Sequence, residues 1–119
     1  MVVPFIAMTA CSAANAPGLS YDGIEASALD ESLSSIRARV SGTATADDAT
    51  NYAECAVAQF AQFRGAPFAR HLRTTVEEAD GALIADTVYT ISEDVPLGAR
   101  KMDAEVQMAA CREAGIPTV

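Results

Sequence analysis

Residues Phe68–Ser92 read FARHLRTTVEEADGALIADTVYTIS, and the reading of this stretch decides the fold. From Phe68 the side chains follow a period of two. Phe68, Arg70, Leu72, Thr74 and Val76 share one face, and His71, Arg73, Thr75 and Glu77 the other, as on a strand. Asp80-Gly81 is a strong short hairpin turn signal. The run that follows is rich in β-formers, with Val88, Tyr89, Thr90 and Ile91. The pattern predicts an antiparallel hairpin of residues 68–77 and 83–92. Its parity points Arg70 inward beside Phe68 and Leu72. An inward arginine needs a carboxylate, and Asp86 on the facing strand is the candidate. A two-stranded hairpin is marginal alone, so helices must cover it.

Upstream, Tyr52, Ala56, Phe60 and Phe63, with Ala49 and Ala53 alongside, form a helical stripe that ends near Gly65-Ala66-Pro67. Thr45 with Asp48, or Asp47 alone, can cap its start. At this spacing Tyr52, Phe60 and Phe63 read as core; a small hydrophobic ligand groove is the other reading. Earlier still, Leu29, Leu33, Ile36 and Val40 recur at steps of four, three and four. With Ser27 and Asp30 as a cap and Gly42 as a stop, they predict a helix over 28–40. Downstream, Pro96 and Gly98 break the chain. Asp103 caps a last helix with Met102, Val106 and Ala110 inward, ended by Gly115 and Pro117. The expectation is an α+β fold, a small two-layer sandwich of order helix–helix–β-hairpin–helix over residues 23–119. A third strand can come from the tail or from residues 19–26.

The 119 residues suit one domain with one core. Half of them are hydrophobic but only 6% are aromatic, so the core is built from thin side chains. Truncating Tyr52, Phe60, Phe63, Phe68 or Tyr89 would then cost roughly 3–5 kcal/mol. Sixteen acids against eight bases give a net charge of -8. There is no basic run, which argues against nucleic acid and against adsorption to anionic lipid.

The chain opens MVVPFIAMTA, then Cys11, then SAANAPGLS. Met8-Thr9-Ala10-Cys11 resembles the lipobox of a bacterial lipoprotein precursor: an apolar stretch, a small residue before a cysteine, then a polar tether. The resemblance implies a leader at 1–10 cleaved before Cys11, lipidation of the Cys11 sulfur, a flexible tether at 11–22 and a membrane reached only through the lipid. An ordinary strand or an apolar tail is the other reading of residues 1–10. With Cys11 occupied by lipid, Cys55 and Cys111 remain as an even pair, as expected in an oxidising compartment. A Cys55–Cys111 bridge would join the central and the last helix. Buried free thiols are the alternative. A zinc site with His71 lacks a fourth ligand and a closely spaced pair.

Chemistry is sparse. The single histidine, His71, lies between Arg70 and Arg73, and these three form the candidate polar site. No nucleophile elbow, phosphate loop or calcium loop is present. Asp47-Asp48, Glu77-Glu78 and Glu93-Asp94 read as solvated surface. No catalytic residue, metal site or cofactor is therefore expected. The sequence is best read as a lipid-anchored cell-envelope module, binding or structural, with a possible envelope protein partner. A small exported enzyme or enzyme accessory using His71 and Arg73 is one alternative, and a cytosolic partner-binding domain another.

Overall fold

The protein is represented by a computed structural model that describes residues 18–30, 33–92 and 101–118. The leader at 1–10, Cys11 and the first part of the tether lie outside the described residues, as do Glu93-Asp94, Pro96, Gly98 and the last residue of the tail. Among the described residues the order is β1 (Leu19–Ala28), β2 (Leu33–Gly42), α1 (Ala46–Phe63), β3 (Phe68–Ala79), β4 (Ala82–Ser92), β5 (Lys101–Asp103) and α2 (Ala104–Ala114). The strands form one antiparallel sheet of order β1-β2-β4-β3-β5.

This corrects the expected helix–helix–β-hairpin–helix order. Residues 33–42 are a strand, and Leu19–Ala28, which includes the 19–26 stretch offered above for a third strand, is another. In β2, Ile36, Ala38 and Val40 are buried while Arg37 and Arg39 are exposed, a period of two hidden under a helix-like spacing. Leu29, which completed the helical stripe, lies at the hairpin tip and is 56% exposed. Asp30 caps no helix; its carboxylate accepts from the Leu33 amide at 2.8 Å across that tip. Gly42 stops no helix either. It ends β2 with φ at +76°, where a Cβ would fall 1.7 Å from the Gly18 carbonyl oxygen.

Local signals explain the other elements. Thr45 and Asp48 form both arms of a capping box, Thr45 N–H to Asp48 Oδ2 at 2.8 Å and Asp48 N–H to Thr45 Oγ1 at 3.2 Å. Asp80 and Gly81 both take positive φ, 50° and 77°, as a two-residue hairpin turn requires. Asp103 accepts from the Val106 amide at 3.1 Å to start α2, and left-handed Gly115 ends it. The tail from Ile116 to Thr118 forms no strand.

α1 lies on one face of the sheet and buries Ala49, Tyr52, Ala53, Ala56 and Val57 against Ile36, Ala38, Val40, Ala69, Ala85 and Tyr89. Tyr52 meets Tyr21 edge-on, ring centroids 4.9 Å apart. α2 packs on α1. It buries Ala104, Met108 and Cys111, whereas Val106 and Ala110 of the expected inner stripe are exposed. The Cys55–Cys111 disulfide joins the two helices, with Cα atoms 6.0 Å apart and both cysteines 1% exposed. The opposite sheet face carries Arg37, Arg39, Arg70 and Arg73, all exposed.

Candidate functional site

The register of β3 against β4 shifts between His71 and Arg73, leaving Leu72 as the extra residue of a bulge. This one residue reverses the parity of the first half of β3. Ala69 and His71 turn toward the helices, while Arg70 and Leu72 turn to solvent; beyond the bulge, Thr74 and Val76 face inward as expected. Arg70 is therefore an exposed side chain paired in register with Thr90, and Asp86 lies opposite Thr75 and Arg37 instead. The candidate site Arg70, His71, Arg73 is split: His71 enters a groove, and both arginines project from the other face.

That groove, about 580 Å³, lies between α1, β3, β5 and the first turns of α2. Thr50 and Glu54 line it from one helix, His71 and Thr74 from β3, and Met102 and Gln107 from the far side. A hydrogen-bond chain fixes its floor. Thr87, 1% exposed, donates to the Arg73 carbonyl at 3.3 Å and accepts from the Thr74 hydroxyl at 2.8 Å. Thr74 has thereby spent its single proton, so its oxygen accepts from Nε2–H of His71. Across the groove, burial raises the Glu54 carboxyl above its ordinary range. Gln107 Nε2 reaches Cys111 Sγ at 3.6 Å, which ties the groove wall to the disulfide.

Chemically the groove offers hydrogen bonds. The Thr74 proton points into the sheet, His71 spends one ring nitrogen on positioning, and both described thiols are oxidised to each other. No cluster of three or more metal-ligating side chains occurs among the described residues. Cys11, the position expected to carry a lipid, lies outside them. Thr74 and Glu54 carried no motif; only their positions on β3 and the facing helix reveal them as groove residues, with buried Thr87 behind Thr74.

Among the described residues the fold is a mostly β domain, a five-stranded antiparallel sheet with α1 on one face and α2 packed on α1 and bridged to it by the disulfide. The chain belongs to the YNQ4 C-terminal domain family, whose profile matches residues 21–115. It is 37% identical over 87 residues to a protein of Paracoccus denitrificans described as "Uncharacterized 26.9 kDa protein in nqo8 5'region". The match covers 73% of this chain and 34% of that protein, so this chain spans about a third of its relative's length. No solved structure matches the chain.

Proposed function

We propose that this chain is a non-catalytic binding module of the bacterial cell envelope, held at a membrane by a lipid on Cys11, with the groove beside His71 as its ligand site. The observation that carries the proposal is the Cys55–Cys111 bridge, which Gln107 of the groove wall contacts through Cys111. A buried bridge between two helices suits an oxidising compartment, and it leaves Cys11 as the odd thiol directly after Met8-Thr9-Ala10. No helix among the described residues is long and apolar enough to cross a membrane, so in this reading attachment falls to the lipid. The opposed directions of His71 and Arg73 speak against an enzyme that would use them together.

The test is the intact mass of the protein from its native host, alkylated under denaturing conditions without reduction. A species that begins at Cys11, carries acyl mass and takes no alkyl group is the expected result. An unprocessed chain taking three alkyl groups would overturn export, anchoring and bridge together, and would favour a cytosolic partner-binding domain. For the groove, Thr50→Val with Gln107→Leu should abolish ligand capture while leaving the denaturation midpoint nearly unchanged.

A further inference from the structure

A second cleft, about 300 Å³, opens at the far end of the helix-bearing sheet face. The β1–β2 hairpin runs past the end of α1 there, because the helix stops at Phe63 and the strands continue to their tip. The inner row at this level is Ala28, Ser34 and Tyr89, neighbours in register across β1, β2 and β4. Small side chains on the hairpin leave a trough, and Phe60 and Ile91 wall it with apolar surface. Phe63 packs edge-on against Phe60, centroids 6.4 Å apart, yet is 73% exposed, the most exposed of the large apolar side chains described.

Arg64, the C-cap of α1, stands at the mouth of the trough. Its guanidinium pairs with no carboxylate among the described residues, in a chain with twice as many acids as bases. It acts on the Tyr89 phenol, which it favours in the charged form against the larger opposing effect of burial. An apolar trough lined by one arginine that pairs with no carboxylate among the described residues complements one shape of ligand: an aliphatic chain bearing a terminal anion. The volume lies at the low end of ligand pockets and accommodates one unbranched chain of about ten carbons.

We propose that the trough between the β1–β2 hairpin and the end of α1 binds a medium-chain aliphatic carboxylate, with the chain along Phe60 and Ile91 and the carboxylate on Arg64. The head group makes a charge-assisted, bidentate contact with the guanidinium, and the tail removes exposed apolar surface from water. This site is separate from the His71 groove and independent of the lipid on Cys11.

The test is a two-dimensional amide NMR titration of the oxidised full chain with decanoate, kept below its micelle-forming concentration. Saturable shifts confined to residues 26–28, Ser34, 60–65, Tyr89 and Ile91 are expected. Arg64→Gln should weaken decanoate at least about tenfold, the weight of one charged hydrogen bond, and Arg64→Lys should recover part of the loss. The variant spectrum outside the trough reports that the fold is intact. Equal binding of decyltrimethylammonium, an unchanged affinity in Arg64→Gln, or non-saturating shifts spread over the surface would each overturn the proposal.

Discussion

At Gly42 the backbone takes φ +76° against Gly18, while Gly81 takes φ +77° in open space. The two positions share a conformation and differ only in neighbours. Gly81→Ala should cost about 1 kcal/mol for the left-handed conformation alone. Gly42→Ala adds a backbone collision and should cost at least about 2 kcal/mol. Urea midpoints of the two variants check the order, and a reversed order would disprove the account. Glu54 supplies a second test. Its folded pKa is raised by burial, so the native state holds the proton more tightly than the unfolded chain. That contribution is fully present at acid pH and is lost as pH rises through the raised value. Glu54→Gln should therefore be more stable than the parent at pH 7, with the gap closing below the ordinary glutamate range. A constant gap across a pH series of denaturation curves would contradict this.

The elements differ in how far local chemistry specifies them. α1 depends on the Thr45–Asp48 box, so Thr45→Ala should cost about 1 kcal/mol and Thr45→Ser much less, read from the thermal midpoint. Equal losses in the two variants would show that the hydroxyl is not the stabilising group. This box, the Asp80-Gly81 turn and the Asp103 and Gly115 caps were all legible in the sequence, because their partners lie within four residues. β2 was not. Leu29, Leu33, Ile36 and Val40 satisfy a helical stripe, and Ile36, Ala38 and Val40 alternating with Arg37 and Arg39 satisfy a strand. Pairing with β1 on one side and β4 on the other selects the strand, and strand preference depends on such context. The bulge at Leu72 was equally hidden, yet it decides that His71 and not Arg70 faces the helices.

For the whole molecule, the bridge spans 56 residues and closes a loop that contains β3, β4 and β5. Chain entropy assigns such a loop roughly 4 kcal/mol. The core around it is made largely of alanine, so this is a large share of a typical margin of about 5–15 kcal/mol. Cys55→Ser with Cys111→Ser should lower stability by an amount of that order. Hydrogen exchange should show α2 loosening first, because its burial rests on α1 and the bridge more than on the sheet. A double variant with unchanged midpoint and protection would remove the bridge from the account of stability. By itself the sequence determined α1 and α2 with their caps, the β3–β4 hairpin and the candidate cysteine pair, since periodicity, turn chemistry and residue counts are local or additive. Only the tertiary structure decided that residues 33–42 join the sheet as a strand, that the Leu72 bulge turns His71 inward, and that Thr74, Glu54 and Arg64 line sites. Those outcomes depend on which distant strands and helices share a face, and backbone pairing across dozens of residues leaves no mark within a local window.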